Sequence, residues 1–159
     1  MDKVNGIYRH TGKITVIFFT LTLLVLTFAP PECMAGPNIN VTVKTISASG
    51  KGNSVDPRLK GLVQELQSVF RYSSYEFLGQ KGLQLSSNKK GVVNLPENRI
   101  MNISVKGIEG SRVILEIEIL KNNSRIFQTV IKLNNNSSLT IGGPAYKGGN
   151  LLFNIFASF

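Results

Sequence analysis

Apolar positions along this chain follow three different rhythms. An uncharged, largely apolar run extends from Ile14 to Ala29. From Ile39 the pattern changes: Ile39, Val41 and Val43 alternate with Asn40, Thr42 and Lys44, the period-two signature of a half-buried strand, which Ile46 and Ala48 extend. The polar, glycine-rich stretch Ser49–Ser54 breaks it. It lacks the spacing of a phosphate-binding loop and reads as a plain connection. Leu59, Leu62, Val63, Leu66, Val69 and Phe70 then fall at helical spacing, with Arg58, Lys60, Gln64, Gln67 and Ser68 opposite. Asp56 is placed to cap this segment and Pro57 suits a first helical position. The spacing predicts one substantial helix over about 56–70, its apolar stripe covering the domain's own sheet.

Everything from Tyr72 onward reads as strands. Tyr75 and Phe77 alternate with Ser74 and Glu76, a break is expected at Lys81-Gly82, and Leu83 and Leu85 follow. Asn88–Gly91 reads as a turn before Val92, Val93 and Leu95; Ile103 and Val105 precede a Glu109-Gly110 turn. Val113, Leu115, Ile117 and Ile119 then face one way and Glu116 and Glu118 the other. The polar Lys121–Ser124 reverses the chain into Phe127, Thr129, Ile131 and Leu133, a hairpin signal. Leu139–Ile141 and Leu151–Phe156 bracket Gly142–Gly149, read as a glycine-rich loop carrying Tyr146 and Lys147. The expected fold class is α+β: a mainly antiparallel β-sheet or sandwich with one substantial helix, in the order β-α-β and then a β meander.

The first apolar run places the protein. Lys3, Arg9 and Lys13 precede it and Cys33-Met34-Ala35 closes it with small residues, the order of a secretory signal peptide. Its 16 residues fall short of the roughly 20 that a spanning helix needs, although a retained anchor stays open as an alternative. Pro30, Pro31 and Glu32 before Cys33 depart from a lipid-attachment motif. Residues 1–35 are expected to be the signal peptide and residues 36–159 a single domain in the periplasm or cell envelope. The 124 residues from Gly36 contain no cysteine and no histidine, and 15 Lys/Arg face 7 Asp/Glu.

Without imidazole or thiol, most zinc sites and the common nucleophile–base pairs have no residues to build them. No metal and no cofactor is expected. Glu116 and Glu118 could act as paired carboxylates of a small periplasmic hydrolase, the alternative reading; on an alternating strand they read first as an exposed polar face opposite lysines. The net charge of +8 favours anionic partners and peripheral membrane contact over nucleic acid, which an exported protein rarely meets. Lys89, Lys90 and Lys147 sit on expected turns, and with Tyr146 they are the candidate partner-binding residues.

The succession DPRLKGLVQELQSVFRYSSYEFL, VVNLPENR and LTIGGPAYKGGNLLFNIFA resembles small exported bacterial proteins without an assigned activity. The closing T-I-G-G before an apolar strand also resembles the terminal strands of secretin channel proteins, although the long barrel region and repeated ring-forming domains of secretins are missing. The resemblance implies no catalytic residues. It implies an envelope or secretion-associated role; together with the residues, the expected function is a non-enzymatic binding or structural module whose partner is an envelope protein or an anionic envelope component.

Overall fold

The structure is a computed structural model, and it describes residues 38–87 and 89–159. The expected signal peptide, its cleavage point and Cys33 lie outside the described residues. The chain from Asn38 is an antiparallel two-sheet sandwich of eight strands with a small helical layer on one outer face. β1 (Ile39–Ser49), β2 (Ser74–Leu85), β7 (Ser137–Tyr146) and β8 (Gly149–Ser158) form the first sheet in the order β2-β1-β8-β7. β3 (Gly91–Leu95), β4 (Arg99–Glu109), β5 (Arg112–Lys121) and β6 (Ser124–Asn134) form the second in sequence order. The chain crosses between sheets at 86–90 and returns at Asn135-Asn136. Two edges, β2 with β3 and β6 with β7, therefore lie along the two sides of the sandwich.

Alternation dictates the main core. Ile39, Val41 and Val43 of β1 and Leu151, Phe153, Ile155 and Ala157 of β8 face inward. They meet Met101, Ile103, Val113, Leu115, Ile117, Ile119, Ile131 and Leu133 of the second sheet. On the opposite face of the same strands, Ile46, Ala48 and Leu152 pack with Leu59, Leu66 and Tyr75 into a second, smaller core. β1 and β8 are thus buried on both faces where the helical layer lies, which explains why their sequence there loses its clean alternation.

The helical layer departs from the expected single helix over 56–70. Asp56 caps a single 3-10 turn, Pro57–Leu59, by accepting from the Arg58 amide, and α1 (Val63–Val69) follows as a separate two-turn helix. The interruption brings both Leu59 and Leu66 to full burial while Val69, expected on the buried stripe, is 64% exposed. The Tyr75 hydroxyl reaches up from β2 and shares its proton between the Leu66 and Phe70 carbonyls, which also accept from the Phe70 and Tyr72 amides, so it ties the end of α1 to the sheet.

Two strand assignments also change. β2 runs unbroken through Lys81-Gly82, with a bulge at Leu78 opposite Thr45 and Ile46. Gly142–Gly149 is not a loop: β7 continues to Tyr146, and only Lys147 and Gly148 turn the chain, both at positive φ. Its glycines serve close approach. A Cβ on Gly149 would lie 1.9 Å from the Ala48 carbonyl oxygen, and one on Gly143 2.3 Å from the Phe153 ring. Asn122 and Asn123 turn β5 into β6, both left-handed as a two-residue hairpin requires. Among the described residues no helix is long and apolar enough to cross a membrane.

Candidate functional site

The four residues singled out in the sequence do not converge. Lys89 and Lys90 are exposed in the connection from β2 to β3, beside the Ile39–Leu85 end of the first sheet. Lys147 occupies the β7–β8 turn, beyond the Ala48–Asn150 end. Nine strand steps separate those ends, roughly 30 Å at about 3.3 Å per residue. Tyr146 is not displayed on a loop: inward alternation at the end of β7 buries it in the main core. The Lys147 ammonium lies 5.2 Å from its ring centroid, and contact with the Tyr146 side chain raises the Lys147 pKa.

Glu116 and Glu118 stand together on the outward face of the second sheet. Lys106 lies 2.6 Å from Glu116, Gln128 donates to it at 2.8 Å, and Arg125 pairs with Glu118 at 2.9 Å. The Lys106 contact, helped by Gln128 and Ser104, holds the Glu116 pKa below the usual carboxylate range. A general acid near neutral pH needs the opposite shift. Among the described residues no group of three His, Cys, Asp or Glu side chains could hold a metal ion.

One concave feature lies where β2 and β3 diverge. At one end they touch: a Cβ on Gly91 would fall 2.7 Å from the side chains of Leu83 and Leu85. Toward the other end they open into a cleft of about 570 Å³ between Leu78–Lys81 on one wall and Val92–Asn94 with Pro96 on the other, with Thr45 in its lining. Both walls are sheet-edge strands. Inward-facing positions of β1 switch from Val43 to Thr45 here, so a buried polar side chain meets the opening.

The edge of β2 away from β1 is already in use at its beginning. Ser54–Asp56 lies along it in parallel: the Tyr75 amide donates to the Ser54 carbonyl at 2.8 Å and the Asp56 amide to the Tyr75 carbonyl at 2.9 Å. Arg58, held by Asp56, then reaches the Phe77 carbonyl at 3.4 Å and lies over the Phe77 ring. Beyond that point, from Leu78 to Gly82, no described residue pairs with this edge. Gly79 and Gly82 leave the backbone there uncovered, with nothing near the place a Cβ would take.

Sequence reasoning missed this site because it read Lys81-Gly82 as a break. The signal was nonetheless present: Gly79-Gln80-Lys81-Gly82 is too polar and too glycine-rich for a central strand and suits an edge. No protein-family model, curated protein or solved structure matches this chain.

Proposed function

We propose that this protein is a non-enzymatic, exported binding module of the cell envelope that receives an extended polypeptide segment along the open edge of β2. One observation carries the reading: an unpaired edge of about five residues, lining a cleft, continues the line along which Ser54–Asp56 already pairs with β2. Strand addition needs only main-chain donors and acceptors in register plus side-chain room on one side. The cleft supplies that room, its volume lying within the range of ordinary ligand sites. The charge balance and the secretory pattern of the leader support an envelope setting, and the ion-paired Glu116 and Glu118 suit a structural surface better than hydrolysis.

The test is an amide-resolved titration of the isotopically labelled protein with a panel of extended peptides of alternating polarity. Binders are expected to shift and protect the amides of Leu78–Gly82 and to shift those of Val92–Asn94. N-methylation of alternate peptide amides is expected to abolish binding. Shifts confined to other edges, or binding indifferent to N-methylation, would remove strand addition.

A further inference from the structure

The ion pairs divide the surface unevenly. Asp56 pairs with Arg58, Glu97 with Arg99 and Lys121, Glu109 with Lys132, Glu116 with Lys106 and Glu118 with Arg125. Five of the seven acidic residues of the domain are thereby matched, Arg58 and Arg99 doing so at the rim of the cleft, on Phe77 and opposite Leu95. Glu65 and Glu76 are left without an ion pair among the described residues. The walls themselves hold the reverse. Across 39–49 and 77–96, which comprise β1, the open part of β2, the connection and β3, stand Lys44, Lys81, Lys89 and Lys90 and no aspartate or glutamate. None of these four lysines lies within ion-pair distance of a described acidic residue. Lys81, partnered with Val43, is on the sandwich-inward face and lines the cleft; Lys89 and Lys90 stand at its closed end.

We infer that the segment received by the β2 edge is acidic, carrying carboxylates on alternate residues. The inference rests on the strand-addition reading above and goes on to assign the partner's chemistry. An added strand presents every second side chain to the cleft side, where Lys81 stands, and the others to the outer face, where Gln80 and its neighbour Lys44 stand. Exposed charges act over roughly 8 Å at physiological salt, so carboxylates on either face fall within range of a lysine. The same lysines discourage a second copy of this chain from pairing edge to edge, since like charges would meet. An acidic strand is the partner that both relieves the charge and fills the edge.

Three peptides of one length and alternation, differing only in Glu, Gln or Lys at the polar positions, decide the matter by calorimetry or fluorescence anisotropy. The Glu peptide is expected to bind about tenfold more tightly than the Gln peptide at low salt, since each exposed pair contributes roughly 1.5- to 5-fold. The gap is expected to shrink as salt rises, and the Lys peptide to bind weakest. Changing Lys81, Lys89 and Lys90 together to Gln is expected to erase the gap between the Glu and Gln peptides. Lys132→Gln, on β6 at the opposite edge of the second sheet from β3, is expected to leave it intact. Equal binding of the Glu and Gln peptides would overturn the acidic assignment and leave strand addition standing. If no peptide binds but anionic phospholipid vesicles do, both readings fail and the lysines form a membrane-contact surface.

Discussion

Arg99 is the one charged side chain that the fold buries among the described residues. Its Nη2 donates to the Ala145 carbonyl at 3.0 Å and meets the Glu97 carboxylate at 2.7 Å, while Nε and Nη1 have no partner. A desolvated guanidinium with two unmatched donors costs more than it returns, and apolar residues of similar size often replace such groups without loss. Arg99→Met is therefore expected to leave stability unchanged or raise it by about 1 kcal/mol in urea denaturation; a loss of more than about 1 kcal/mol would show that the guanidinium holds the end of the sandwich together. Tyr75 presents the opposite balance. Its hydroxyl ties β2 to the end of α1, where the Leu66 and Phe70 carbonyls also accept from the Phe70 and Tyr72 amides, so Tyr75→Phe removes one tie and is expected to cost about 1 kcal/mol. Burial raises the Tyr75 pKa above the ordinary value near 10. A raised folded-state pKa gives stability that is complete below that value and lost as pH climbs through the folded one. The difference between wild type and Tyr75→Phe is thus expected to narrow above about pH 10, and a difference constant from pH 7 to 11 would contradict it.

At the scale of elements, the alternating strands were the legible part. β3, β5 and β8 follow their hydrophobic pattern closely because each has one face committed to a single core or a continuous apolar run. The helix was less legible. Leu59, Leu62, Leu66, Val69 and Phe70 fit one stripe on paper, yet the small second core needs only Leu59 and Leu66 at full depth, and the 3-10 turn rotates Val69 outward. Periodicity cannot report how much surface the partner sheet offers. Leu66→Asp is accordingly expected to cost several kcal/mol, a large part of a typical total of roughly 5–15. Val69→Asp is expected to stay within about 0.5 kcal/mol. Similar thermal melts for the two variants would return the helix to the expected single stripe. The candidate site was legible only in part: Lys89 and Lys90 stand at the closed end of the cleft, Tyr146 lies in the main core, and Lys147 turns the chain at the end toward which the cleft opens. A register that joins residues distant in sequence, such as Thr45 with Gly79, leaves no local trace.

For the whole molecule, the arrangement of the two cores decides how the fold opens. The main core is shared by all eight strands and its inward residues on β5 are fully buried, whereas the second core hangs on a seven-residue helix and one 3-10 turn. Isolated helices this short are not stable in water, so α1 persists only while Leu66 and the Tyr75 hydroxyl hold it. Its opening would uncover Ile46, Ala48 and Leu152 without disturbing a single inward side chain of the sandwich, because those residues lie on the opposite face of β1 and β8. Native-state amide exchange is therefore expected to show two cooperative units. The amides of Val63–Val69 exchange through a local opening with little dependence on denaturant, and those of Arg112–Lys121 only through global unfolding. Val55 packs against the second core and Asp56 caps the 3-10 turn, so the pairing of Ser54–Asp56 at Tyr75 is expected to open with α1 and extend the free edge of β2 back from the cleft to Tyr75. Equal protection of α1 and β5 at every denaturant concentration would mean that both cores open as one, and that the helical layer is bound to the sandwich more tightly than its small buried face accounts for.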